Sequence, residues 1–224
     1  MTRPDISVRS VGVERQPLVV IDGFSRDPDA LRAAAIVERF GPAGHHYPGI
    51  RAPVPGDYFT ERGPVLAQVL AEVFGHRGRV DVLDASFSVV TTPSAELSVQ
   101  QRLPHCDAFA GNRLAILHYL SPEGGDGTAF FRHRSTGFET VDETRAPVYF
   151  DRLNAELRDG DAPNGYIAGD TPLFERTMLA EARYDRALIY RSFLLHSGAI
   201  APDAVLSPDP ATGRLTVTAF LVAT

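Results

Sequence analysis

The residues best suited to chemistry are Leu103-Pro104-His105-Cys106-Asp107, where an imidazole and a carboxylate stand two apart in a stretch that reads as extended. Side chains two apart on extended chain share a face. Such a pair supplies two members of the two-histidine, one-carboxylate set that holds Fe(II) and leaves positions open for oxygen and a substrate. A His-x-Asp tripeptide alone is commonplace and reads equally well as loop, so the pair gains meaning only from a third donor elsewhere. His196 is the best candidate. It ends the apolar run of residues 187–195, which reads as one buried strand, and Ser197-Gly198 follows. Cys106 falls between the two donors and should face the opposite way, outside the set. Farther on, Arg214, Thr216 and Thr218 alternate with apolar residues in Gly213-Arg214-Leu215-Thr216-Val217-Thr218-Ala219-Phe220-Leu221. An inward arginine on such a late strand would be costly without an anion to pair with.

The elements that must position these residues follow from periodicity. Residues 17–24 read as a buried strand. A helix opens at Asp27-Pro28 and runs to about residue 40, packing Leu31, Ala34, Ala35 and Ile36. Residues 41–57 read as an ordered loop carrying His45-His46-Tyr47-Pro48-Gly49-Ile50-Arg51, either on the surface or as a lip over a substrate mouth. A second helix spans 64–74, with Val65, Leu66, Val69, Leu70, Val73 and Phe74 in one stripe. Strands follow at 80–91, 97–102 leading into His105, 113–120, and 127–132 after the turn Glu123-Gly124-Gly125-Asp126. That turn leads into a strand, whereas a phosphate loop would open a helix. Arg132-His133-Arg134 reads as solvated charge at a rim, with attraction of an anionic substrate as the alternative. Residues 147–158 read as a helix and 159–170 as loop; 174–184 fits either helix or strand, with strand preferred. Closely spaced short strands argue for a barrel or sandwich.

Composition narrows the function classes. The chain has 224 residues and suits one domain; 44% of them are hydrophobic and 22% charged, as in an ordinary globular protein. It has no apolar run of membrane-spanning length and no apolar core of a signal peptide near its start, so a cytoplasmic location is expected. The single cysteine excludes an intrachain disulfide and cysteine-rich zinc sites. A net charge of −6 without a basic block argues against general nucleic-acid or anionic-membrane binding. All 22 basic residues are arginines. With no lysine, Schiff-base chemistry, a phosphate-loop lysine and Ser-Lys catalysis are removed. Gly-x-Ser-x-Gly and Gly-x-Gly-x-x-Gly are both absent.

Taken in order, five features resemble the Fe(II)- and 2-oxoglutarate-dependent oxygenases, in their prolyl-hydroxylase-like branch. They are Leu18-Val19-Val20-Ile21-Asp22-Gly23-Phe24, the His105-x-Asp107 pair, Leu117-His118-Tyr119-Leu120, Thr128-Ala129-Phe130-Phe131 after a glycine turn, and His196 with Gly213-Arg214. The resemblance implies a mainly β fold, a distorted double-stranded β-helix (jelly-roll or cupin-like barrel) with helices packed on one sheet. Residues 1–15 would be an N-terminal arm or edge strand and 16–224 one oxygenase domain, with helical support at 25–75 and an insertion at about 135–184. It implies His105, Asp107 and His196 as Fe(II) ligands and catalytic centre, with 2-oxoglutarate and O2 as cosubstrates. Arg214 would anchor the distal carboxylate, since no lysine exists to do so, with Tyr119 and Thr216 lining the same site. Tyr119 reads equally as a core aromatic, and His118 as a satisfied core or surface histidine.

Two departures from the family pattern stand out. His105 and His196 are 91 positions apart, and Arg214 follows His196 by 18, both wider than usual. The implied reaction is hydroxylation of a peptide, amino acid or small molecule, with no nucleic-acid or membrane partner; an aspartate at 107 argues against halogenation. Two other readings stay open: a cupin-like binding or sensor protein that keeps a metal without turnover, and a metal-dependent hydrolase or isomerase with the same ligands.

Overall fold

Buried on both faces, the run Leu18-Val19-Val20-Ile21 lies inside a broad sheet. In the computed structural model, residues 3–44, 46–122, 127–160, 162–201, 203–204 and 206–224 are described. Eight strands form one antiparallel sheet in the order β1 (Asp5–Val11), β2 (Gln16–Asp22), β9 (Arg186–Arg191), β6 (Arg113–Tyr119), β11 (Leu215–Ala223), β5 (Val80–Val90), β4 (Gly49–Pro53), β3 (Gly41–Pro42). Three more, β10 (His196–Gly198), β7 (Gly127–His133) and β8 (Phe174–Glu181), form a smaller antiparallel sheet in that order. The two sheets face each other. Leu18, Ala115, Leu188 and Tyr190 of the large sheet pack against Phe130 and Ala180 of the small one. This is the double-stranded β-helix layout.

Strand alternation decides which side chains reach the space between the sheets. On β6, Ala115 and Tyr119 point inward, whereas Leu114 and Ile116 point out to the helices. Helix α2 (Gly63–Glu72) lays Leu66, Val69 and Leu70 on that outer face, against Val19, Ile21, Ile116 and Ile189. Helix α1 (Pro28–Val37) is capped by Asp27, whose carboxylate accepts from the Ala30 N–H at 2.9 Å. It ends sooner than the pattern suggests and buries only Ala35 fully, leaving Ile36 largely exposed. His118 is fully buried on the outer face, with Nε2 2.9 Å from Asp185 Oδ1 and Nδ1 3.1 Å from the Tyr58 hydroxyl. Burial lowers its pKa, so it is a neutral, satisfied core histidine.

Helix α3 (Ala146–Arg158) lies within the stretch expected as an insertion, but it covers the small sheet. Tyr149 and Leu153 shield Ala129, Phe131 and Phe174, which would otherwise face water. The expectation that the helices back one sheet therefore holds for α1 and α2 only. The same stretch supplies β8, paired along its length with β7, so part of it is framework.

Several local readings are corrected. Residues 97–102 form no strand; a short 3-10 turn, Ser94–Glu96, precedes them and a second, Gln100–Arg102, closes them. Ser98 and Gln101 exchange side-chain to backbone hydrogen bonds there, which compete with strand pairing. The loop at 41–57 contains β3 and β4, pairing Gly41 with Arg51 and extending the large sheet. Within Arg132-His133-Arg134 the central residue is fully buried, its Nε2 2.8 Å from Glu156 on α3. Arg132 and Arg134 pair with Glu175 and Asp170. His133 thus fastens α3 to the small sheet, while the two arginines pair with β8 and the loop before it. His45 and the turn 123–126 lie outside the described residues. Among the described residues no helix is long and apolar enough to cross a membrane.

Candidate metal centre

The apolar run 187–195 is not one strand. β9 ends at Arg191, and the chain crosses to the small sheet before β10 begins at His196. Each peptide in the crossing finds a partner: Ser192 N–H donates to Arg113 O at 3.0 Å, Ser192 O accepts from Asp107 N–H at 2.7 Å, and Leu195 N–H donates to Glu139 O at 2.9 Å. Such bonds make a non-strand path through the interior affordable. They also carry His196 to His105, with which it exchanges two backbone hydrogen bonds of 2.9 Å each.

The result brings together the three residues singled out by type and spacing. Candidate donor atoms of His105, Asp107 and His196 all lie within 4.8 Å of one another. His105 Nε2 is 3.6 Å from Asp107 Oδ1, and His196 Nε2 is 3.5 Å from Asp107 Oδ2. Bonds of about 2.0–2.2 Å meeting near a right angle place donors about 3 Å apart, so a modest contraction would close this set on one ion. Asp107 Oδ2 is buried and makes no hydrogen bond, an arrangement that is costly unless a cation meets it. The Nδ1 of His196 lies 2.9 Å from Leu194 O, which can only accept, so Nδ1 carries the proton and Nε2 presents its lone pair inward. His105 keeps 54% of its side chain exposed at the cavity mouth. Desolvation, then the neighbouring His196, holds its pKa below the ordinary imidazole value, which favours the neutral, ligating form near pH 7. Tyr190 packs edge-on against His196 at 4.9 Å and Phe130 lies at 6.3 Å, forming an apolar floor. Cys106 faces the packing beneath α3, and burial raises its pKa to about 11.

The donors open onto a cavity of about 700 Å³ between the sheets. Arg214 lines it just before β11, donating from Nη2 to Gly127 O at 2.8 Å, its guanidinium 5.8 Å from the Tyr119 ring. The hydroxyl of Tyr119 is 2.7 Å from Thr128 Oγ1, and Thr216 Oγ1 donates to Ser88 O at 3.4 Å. Thr216 and Thr218 both line the cavity. His46 and Tyr47 lie on its wall.

Sequence reasoning missed two arginines. Arg51 shares a row across the sheet with Ser88, Thr216 and Tyr119, because β4, β5, β11 and β6 pair in that register. Its guanidinium stacks 4.7 Å over Tyr47, itself half-buried near Arg214. Arg113 opens β6 in the phase of Ala115 and Tyr119, and that phase was the signal that could have found it. Tyr149 and Phe150 of α3 complete an aromatic wall.

Solved structures show the same fold. The non-heme alpha ketoglutarate dependent epimerase SnoN from nogalamycin biosynthesis aligns with a TM-score of 0.53 at 14% identity, over 94% of this chain and 80% of that one. HygX from Streptomyces hygroscopicus, solved with nickel, 2-oxoglutarate and hygromycin B bound, gives 0.52 at 15%, over 92% and 83%. The non-heme alpha ketoglutarate dependent carbocyclase SnoK from nogalamycin biosynthesis gives 0.52 at 14%, over 93% and 80%. No curated protein sequence matches the chain. Residues 2–221 match the model described as "Family of unknown function (DUF6445)", and the chain belongs to that family.

Proposed function

We propose that this chain is a non-haem Fe(II) oxygenase, of the prolyl-hydroxylase-like branch, that couples decarboxylation of 2-oxoglutarate to hydroxylation of a small molecule or peptide. The observation that carries the proposal is the convergence of His105, Asp107 and His196 at a cavity that also holds Arg214. Two imidazoles and one carboxylate on one side suit Fe(II) and would leave its remaining positions facing the cavity. HygX, of the same fold, holds nickel and 2-oxoglutarate together.

When bound, the iron would let O2 oxidise 2-oxoglutarate to succinate and CO2, with the second oxygen atom entering a C–H bond of the substrate. The chain's own residues set the conditions. Leu194 O fixes the tautomer of His196, and the Asp107 N–H is held by Ser192 O, so two ligands are oriented by backbone atoms rather than by mobile side chains. Tyr190 and Phe130 exclude water from beneath the ligands. Arg214, flanked by Tyr119 and Thr216, would take the distal carboxylate of 2-oxoglutarate through its forked donors. Asp107 would fill the coordination position that a halogenating enzyme needs open, which favours hydroxylation. The single oxygenase domain from residue 16 and a reducing, cytoplasmic setting belong to the same reading.

The deciding experiment is anaerobic reconstitution of the full chain with Fe(II), then addition of 2-oxoglutarate. A visible metal-to-ligand charge-transfer band, followed by succinate formation on admitting O2, is the expected result. Iron binding with no band at saturating 2-oxoglutarate would overturn the proposal.

A further inference from the structure

We propose that the cavity holds a second anion site at Arg113, and that the molecule oxidised carries a carboxylate gripped there, with an apolar body along α3. The identification of that molecule as substrate rests on the oxygenase reading; the anion site stands on the geometry below.

Arg113 and Tyr119 are the first and last residues of β6 and share its inward phase. At about 3.3 Å per residue their α-carbons are roughly 20 Å apart, and Arg214 sits at the Tyr119 end. The two arginines therefore mark opposite ends of one cavity. The proposed metal ligands lie toward Arg113: Ser192 receives the Asp107 N–H on its carbonyl and gives its own N–H to Arg113 O. An anion held by Arg113 would thus sit beside Asp107, away from the end assigned to 2-oxoglutarate.

The charge pattern asks for such an anion. Four described arginines line the cavity, Arg51, Arg102, Arg113 and Arg214, and Asp107 is the only described carboxylate among the lining residues. A divalent ion and doubly charged 2-oxoglutarate would cancel each other, leaving the excess of cations in place. Arg102 is spent on Leu97 O and Pro163 O, and Arg51 faces Asp84 at 3.8 Å. The side chain of half-buried Arg113 has no hydrogen bond or ion pair among the described residues, and its Nε is buried. A half-desolvated guanidinium without a partner is unfavourable, and one planar fork suits one carboxylate.

The neighbouring surface is aromatic. Phe109, in the loop between Asp107 and Arg113, meets Phe150 of α3 edge-on at 6.0 Å, and both rings remain more than a third exposed. Tyr149, next to Phe150, has a buried hydroxyl with no hydrogen bond. An acid with a hydrocarbon or aryl body would cover this wall while its carboxylate reached Arg113.

The test uses calorimetry on the full chain with Ni(II) and saturating 2-oxoglutarate, titrating phenylacetate, 3-phenylpropionate and octanoate, each against its neutral amide. At least one acid should bind roughly tenfold or more tighter than its amide, the range for a charge-assisted hydrogen-bond pair. Arg113→Met should erase that preference, Arg113→Lys should keep part of it, and both should bind 2-oxoglutarate as the wild type does. Acids no tighter than their amides, or an undiminished preference in Arg113→Met, would overturn the site. If the wild type fails to bind 2-oxoglutarate, the oxygenase reading falls by itself. The acid-to-amide comparison is then made on the metal-free protein, with Arg214→Met as the control: a preference lost in Arg214→Met and kept in Arg113→Met sinks the proposal, and the reverse supports it.

Discussion

Replacing Arg214 with methionine would keep most of the side chain's length and apolar bulk while removing its charge and forked donors. The wild-type guanidinium is held against the wall by Gly127 O and the Tyr119 ring, so its position is set before any ligand arrives. Removing one partner of a buried charge pair costs about 2–5 kcal/mol, or roughly 30-fold to several-thousand-fold in binding. Here Arg51 stands near the same Tyr47 and would offset part of the loss, which favours the lower end, about 30- to 300-fold. Arg51→Met should cost less than about tenfold, because Asp84 already compensates part of its charge. The assay is anaerobic titration of the Fe(II) protein with 2-oxoglutarate, read on the charge-transfer band, with iron content measured in parallel and expected to be unchanged. Arg191 serves as the internal control. It donates to Gly111 O at 2.6 Å and Phe74 O at 3.3 Å on the helix-covered side, so Arg191→Met should not weaken 2-oxoglutarate. Normal 2-oxoglutarate binding by Arg214→Met would refute the reasoning: a loss in Arg51→Met instead would move the anchor to that strand, and no loss in either would remove the cosubstrate assignment.

His105→Ala and His196→Ala should each abolish stable iron binding and leave the far-ultraviolet circular dichroism intact; full iron occupancy in either would remove that residue from the ligand set. Asp107→Gly should still bind iron, more weakly, and lose most substrate hydroxylation while 2-oxoglutarate consumption persists uncoupled. Wild-type hydroxylation in that variant would mean another carboxylate completes the site. Asp22→Asn should destabilise the fold by about 1–2 kcal/mol at neutral pH, since it strips a two-pronged partner from buried Arg186, a loss trimmed by the partial exposure of Asp22 itself. The hydrogen bond from Arg186 holds the Asp22 carboxyl below its ordinary pKa of 3.8, so this stabilisation is complete above pH 3.8 and disappears as pH falls through the lower folded value. Urea midpoints of wild type and variant should therefore converge in acid, and a gap that persists there would show that packing, not charge, is lost.

Much of the framework was legible because it is written in short-range periodicity. Alternation on residues 113–120 and 215–221 told which side chains of β6 and β11 share a face, and the apolar stripe of α2 told that one sheet would be backed by a helix. The spacing of His105 and Asp107, with a histidine past a buried strand, was enough to nominate three donors. What local pattern does not encode is which distant segments become neighbours. The apolar residues 187–195 read as continuous strand, yet only bonds from Asp107, Arg113 and Glu139, far away in sequence, bend them from one sheet to the other and set His196 beside His105. Arg51 likewise became a cavity residue only once β4 was paired on β5. Each strand carries its own two faces, whereas the partner and register of a pairing depend on the joint burial and hydrogen bonding of segments many tens of residues apart. That balance exists only in the assembled fold.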